Sequence, residues 1–77
     1  MDGALPAKTK GLLGLVASLV MRCDDCIHYH IIQCQKESVK DEELEEAVGV
    51  GLVVGGSITI PHLRRAFEAW HELKKTE

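Results

Sequence analysis

AKTKGLLGLVASLVMRCDDCIHYHIIQCQK, residues 7 to 36, decides the fold. Its first half places Leu12, Leu15, Val16, Leu19 and Val20 at helical spacing, with Pro6 at the start, where a missing N–H costs nothing. The spacing predicts a helix from residue 7 to about residue 21, the amphipathic arm of a hairpin. A second helix is predicted from near Cys23 to about Lys36, since Asp24 and Asp25 suit the positive end of a helix dipole.

Downstream, Ser38-Val39-Lys40-Asp41 has the spacing of a capping box and opens a third helix. The acidic run Asp41 to Glu46 reads as a solvated face near the dipole's positive end, whereas Val48, Gly51, Leu52 and Val53 are wholly apolar. That later half is expected to be buried on all sides. Gly55-Gly56 breaks the chain, and Leu63, Ala66, Phe67, Trp70 and Leu73 then form the stripe of a last helix that ends in solvated charges. No internal repeat or low-complexity stretch is evident.

Composition agrees with this all-α reading. The chain has 77 residues, 45% hydrophobic and only 4% aromatic, which favours helices over a sandwich or barrel and predicts one domain over residues 1–77. A core this small barely offsets the entropy of ordering, so a stapled, metal-bound or oligomeric chain is expected. The third helix, apolar around its circumference after Ala47, predicts a homo-oligomer, a hexamer or trimer. Net charge is −3 and the basic residues are scattered without aromatic interleaving, which argues against a nucleic-acid surface.

The run GLLGLVASLVM after Lys8 and Lys10 imitates the middle of a signal peptide, but Met21 and Arg22 precede Cys23 where small residues are needed for cleavage. The longest uncharged stretch, residues 47–62, falls short of the ~20 apolar residues a bilayer requires. A soluble, cytoplasmic protein without membrane contact is expected. In that compartment three cysteines point to reactivity or metal more than to structural bridges.

The chemistry gathers at RCDDCIHYH, residues 22–30. Cysteines at i and i+3 at the start of a helix share one turn, and the dipole there favours the reactive thiolate. His30 lies four residues beyond Cys26, one turn along the same face, within reach to take or return a proton directly or through a water. The set supplies a nucleophile, a second sulfur to resolve its oxidation product, and a local acid or base.

Cys23-x-x-Cys26-Ile27-x-x-His30, preceded by Lys8-Thr9-Lys10-x-Leu12-Leu13 and followed by Glu42-Glu43-Leu44 and the Gly55-Gly56 turn, resembles the alkylhydroperoxidase D-like, or carboxymuconolactone decarboxylase, family. The similarity runs from about residue 4 to residue 72. It implies an all-helical subunit of about four helices assembled into trimers or hexamers, with peroxidase or thiol-disulfide oxidoreductase activity. Cys26 would meet the peroxide, Cys23 would resolve the sulfenic acid, and His30 would belong to the relay that activates Cys26. The substrate would be a peroxide or disulfide and the reductant an unidentified thiol, with no cofactor and no metal. The decarboxylase branch does not depend on such a dithiol, so the two cysteines favour the redox branch.

Three positions depart from that pattern. Gly11 stands where the redox branch carries a relay glutamate. Asp25 occupies a place that a histidine can take, and its charge opposes ionisation of the neighbouring thiols. Cys34, where a small residue such as alanine is common, reads as a small buried hydrophobe.

Other readings are weaker. A structural zinc site using the two cysteines with His30 and Cys34 or His62 conflicts with the spacing, because nearly every candidate ligand sits on one helix. Haem attachment is excluded by Ile27, where a histidine is required. His28 points away from the Cys26–His30 face as a solvated or interface residue. Tyr29, Phe67 and Trp70 have the spacing of core or subunit contacts. Two functional classes stay open: the oxidoreductase, and a non-catalytic or metal-binding helical oligomer that retains the motif.

Overall fold

The computed structural model describes residues 3–75. Four helices follow in order: α1 (Ala7–Met21), α2 (Asp24–Lys36), α3 (Asp41–Gly55) and α4 (Ile60–Lys75), the last preceded by a single 3-10 turn at Ser57–Thr59. There is no strand among the described residues. α1 is the central element, packed on both α2 and α3, and α4 covers the other side of α2. The all-α expectation holds, and the bounds of α1 and α2 match the sequence pattern.

The core follows from one apolar stripe per helix. Leu15 and Leu19 of α1, Ile27, Ile31 and Cys34 of α2, Leu44 and Val48 of α3, and Ala66 and Trp70 of α4 are buried together with Val39. Most lie three or four residues from the next member on their own helix, so each stripe faces inward along its length. Trp70, the largest buried side chain, keeps its polar edge satisfied: its indole Nε1 donates to Asp41 Oδ1 at 2.8 Å. The Gln35 amide donates to the Trp70 carbonyl at 2.8 Å, tying α2 to α4. Gly51 brings α3 close to α1, since a Cβ there would stand 2.6 Å from Leu19 Cδ2.

Both joints flanking α2 end the preceding helix in the same way. After α1, Arg22 turns left-handed (φ 58°), its N–H donating to the Leu19 carbonyl at 3.0 Å and that of Cys23 to the Ser18 carbonyl at 3.1 Å. After α2, Ser38 is left-handed (φ 60°), its N–H donating to Gln35 and that of Val39 to Cys34. These paired closures are Schellman motifs, which satisfy carbonyls that a helix end would otherwise leave open.

Two expectations require correction. Ser38 does not cap α3; it terminates α2. The residue before α3 is Lys40, whose backbone N–H donates to Glu43 Oε1 at 2.8 Å, so only the acidic half of a capping box forms. Nor is the later half of α3 buried on all sides within this chain. Val48 and Gly51 face α1, but Val53 is 84% exposed and Val54 67%. A helix with one main neighbour buries one stripe, and here the opposite stripe is also apolar.

Candidate functional site

Two residues link α1 to α2, and the second of them is Cys23. Having donated its N–H to the Ser18 carbonyl to close α1, Cys23 takes an extended conformation (φ −101°, ψ 99°) and becomes the N-cap of α2. Its Sγ accepts the Cys26 N–H at 3.3 Å, the bond a serine or aspartate makes at this position. The same helical turn brings the two sulfurs to 2.7 Å, about 0.7 Å beyond the ~2.05 Å of a disulfide bond. All three cysteines are free thiols.

Exposure and charge divide the pair. Cys26 is exposed and Cys23 half-buried. The Cys26 thiol is held above its ordinary range, first by its hydrogen bond with Cys23, then by desolvation and by the negative charges that Cys23 and Asp25 can carry. The backbone N–H at the helix start is directed at Cys23 Sγ and Asp25 stands beside Cys26, so ionising Cys26 needs a proton acceptor.

His30 is half-buried on the next turn of α2, and among the described residues it makes no hydrogen bond to either sulfur. Its ring meets Tyr29 edge to face, centroids 5.1 Å apart. It also lies against the bare backbone of Gly14, where a Cβ would stand 2.4 Å from Cε1 and 2.6 Å from Nδ1. Beside it opens a cleft of about 200 Å³ between α1 and α2, lined by Lys10, Gly11, Tyr29, Gln33 and Glu37 as well as His30. Gly11 thus shares a cleft with His30 while lying directly opposite Cys34. A Cβ there would make ordinary contact with Cys34 Sγ at 3.5 Å.

Cys34 is fully buried, and desolvation pushes its thiol up to about 11, the property of a packing residue. His28 and Tyr29 are exposed, whereas Trp70 is core. Among the described residues no three His, Cys, Asp or Glu side chains gather in a metal-binding group.

One constellation escaped the sequence reading. Asp24, between the cysteines, has its Oδ1 2.7 Å from His62 Nδ1, and its Oδ2 accepts from the Arg65 guanidinium at 2.9 Å. The hydrogen bond from His62, followed by the charges of His62 and Arg65, holds the Asp24 carboxyl below its usual range. This clamp ties the dithiol turn to the start of α4. His62 and Arg65 are three apart on a helix, but nothing local in the sequence pairs them with a residue 38 and 41 positions away.

The described residues contain no helix long and apolar enough to cross a membrane. The family model for the carboxymuconolactone decarboxylase family matches residues 1–69. The chain is similar to a Thermotoga maritima protein of that family, whose suggested role is in an antioxidative response, with 58% identity and a TM-score of 0.95 over 96% of this chain and 76% of that one. Similarity to a Legionella pneumophila member is 34% identity with a TM-score of 0.88, over 92% of this chain and 63% of the other. An uncharacterized protein of the Paracoccus denitrificans cox locus is 28% identical over 72 residues, 94% of this chain and 65% of the relative. The chain thus spans about two thirds of the length of these last two. With the family model matching most of the chain and the helices superposing so closely, the chain belongs to the carboxymuconolactone decarboxylase family.

Proposed function

We propose that the chain is a thiol-dependent peroxidase or thiol-disulfide oxidoreductase in which Cys23 and Cys26 cycle between dithiol and disulfide. The observation that carries this reading is the 2.7 Å separation of two free sulfurs at the head of α2. With a peroxide, the Cys26 thiolate attacks one oxygen; the O–O bond breaks, and the departing alkoxide takes a proton and leaves as an alcohol. Cys23 sulfur then attacks the sulfenic acid, releasing water and forming the disulfide. Two equivalents of an external thiol return it to the dithiol. His30 accepts the Cys26 proton, through a water or a ring movement, and returns it to the leaving oxygen. The exposure of Cys26 supports its role as the sulfur that meets substrate, and the antioxidative role suggested for the Thermotoga relative points the same way. A reducing, cytoplasmic setting goes with free thiols of this kind.

The subunit is proposed to work as a homo-oligomer, a trimer or hexamer. What supports this is an apolar groove of about 540 Å³ between α1 and α3, lined by Leu12, Leu13, Val16, Met21, Val50 and Val54 among others, together with the exposed Val53 of α3. Contiguous apolar surface on a chain this small calls for a partner, and a second copy brings the same surface. Sedimentation as a monomer at micromolar concentration would contradict it.

The alternative, a non-catalytic or metal-binding oligomer, draws on the raised Cys26 thiol and the bare Gly11. Thiol consumption followed with hydrogen peroxide and with cumene hydroperoxide, beside metal analysis of the purified protein, separates the two. Stoichiometric loss of two thiols per peroxide is expected; loss of none, or bound zinc, overturns the redox reading.

A further inference from the structure

We propose that His62 and Arg65 are positioning residues for the dithiol: they hold the Asp24 carboxylate against α4 and so keep its charge off Cys23 and Cys26. The effect concerns ionisation of the thiols; only its consequence for turnover rests on the redox reading above.

Two carboxylates stand between the cysteines, and α4 takes hold of one. At about 100° per residue, Asp24 lies roughly 160° around α2 from Cys26, on the side of Ile27 and His28. There it shares a cleft of about 260 Å³ with Ile27 and His28 of α2 and with Arg65 and Ala69 of α4. Both of its oxygens are engaged: Oδ1 lies 2.7 Å from His62 Nδ1, and Oδ2 accepts from the Arg65 guanidinium at 2.9 Å. Asp25, by contrast, presses on Cys26 through its charge.

A released Asp24 carboxylate has a second destination. As the first residue of α2 it sits beside N–H groups that a helix start leaves unpaired, and the positive end of the dipole draws a negative charge there. Cys23 Sγ occupies that same end, where it accepts the Cys26 N–H. Carboxylate and thiolate would then compete for one set of donors, and a like charge so near disfavours the thiolate. The clamp removes the competitor. Its two partners also keep Asp24 ionised, holding the carboxyl below its usual range, so the charge being withheld is a full one at neutral pH. The other titratable groups about this turn are Arg22 at the end of α1 and Asp25, His28 and His30 on α2, and none of them is altered in the test.

The test alkylates the reduced full-length chain with iodoacetamide across a pH series, with mass spectrometry assigning the rate to the Cys23–Cys26 pair and apart from the buried Cys34. His62→Ala/Arg65→Gln, which frees the carboxylate, should raise the pKa of the reacting thiol by about half a unit to one unit, leaving roughly three- to tenfold less thiolate at neutral pH. Asp24→Asn should move it the other way, because a carboxylate is lost while both partners stay. Adding Asp24→Asn to the double variant should bring the rate back close to the parent's. A clamp that merely braced α2 against α4 would make all of these changes act in one direction.

A double variant that alkylates as fast as the parent overturns the proposal, and so does an Asp24→Asn that slows as the double variant does. Arg65, 57% exposed in its side chain, is tolerant of change. Arg65→Gln alone should therefore show the double variant's direction, which carries the test if that variant fails to fold, and Arg65→Lys should restore the parent's value. Iodoacetamide needs no turnover, so the two readings fail separately. The expected order of rates in a protein that consumes no peroxide would keep the clamp's role and remove the redox reading, whereas peroxide consumption with a double variant that alkylates like the parent would do the reverse.

Discussion

The His30 ring occupies the space that a side chain on Gly14 would need: a Cβ there would stand within 3 Å of Cε1, Nδ1 and Nε2 alike. Contacts that short force something to move, and the movable group is the ring. Gly14→Ala should therefore turn His30 away from its present position while α1 gains helix propensity of roughly 0.8–1 kcal/mol. The reaction of Cys26 with peroxide, followed by stopped flow, should slow towards that of His30→Ala, itself expected to be about 100-fold below the parent. An unslowed Gly14→Ala would mean that the ring's position has no part in the chemistry.

Cys23 is both N-cap and resolving sulfur, and two substitutions separate these roles. Cys23→Ser keeps a capping oxygen, so the melting temperature should change little. The sulfenic acid on Cys26, deprived of its neighbour, should over-oxidise to sulfinic acid. Cys23→Ala should lose the cap as well, at a cost of about 1 kcal/mol. Mass spectrometry of the oxidised parent should find a Cys23–Cys26 disulfide. A bridge to Cys34 would reassign the roles.

Gly11→Glu tests the cleft from within. The new Cβ makes only an ordinary contact with Cys34, so the chain should fold and its carboxylate enter the cleft that His30 lines. Cys26 should then react with hydrogen peroxide about 10-fold faster, the scale on which a positioned proton acceptor contributes. A folded variant with an unchanged rate would show that this position has no bearing on the dithiol.

Acid should unfold the protein through a few identifiable carboxylates. Asp24 is held below its ordinary range by His62 and Arg65, Asp41 by Lys74 and Trp70, and Glu43 by the Lys40 N–H and Lys8. A carboxyl depressed in the folded state contributes stability that is complete above its unfolded pKa, ordinarily about 3.9–4.3, and is lost as pH falls through the lower folded value. Urea midpoints should be flat with respect to these groups above about pH 5 and fall below about pH 4. Asp24→Asn should flatten part of that acid slope. A slope unchanged in Asp24→Asn would remove the clamp from the account.

Arg22 holds a left-handed conformation that a side chain disfavours. Arg22→Gly should stabilise the fold by about 0.5–1 kcal/mol, read from the denaturation midpoint, without altering the dithiol. Destabilisation would show that the arginine side chain contributes contacts of its own.

The helices and the dithiol were legible in the sequence because they are local. Leu15 and Leu19, or Ile27 and Ile31, announce an inward stripe by spacing alone, and Cys23, Cys26 and His30 share one helix, where separation along the chain dictates separation in space. The capping of α3 was misread because Ser38 has the right chemistry for an N-cap but is needed to close α2, and backbone demand there outweighs side-chain preference. Only the tertiary structure could decide the rest. Asp24 meets His62 and Arg65, His30 meets Gly14, and Gly11 meets Cys34 because α1 and α4 pack on either side of α2. Those meetings depend on how neighbouring stripes interlock, a property of several helices at once that no spacing within one of them records.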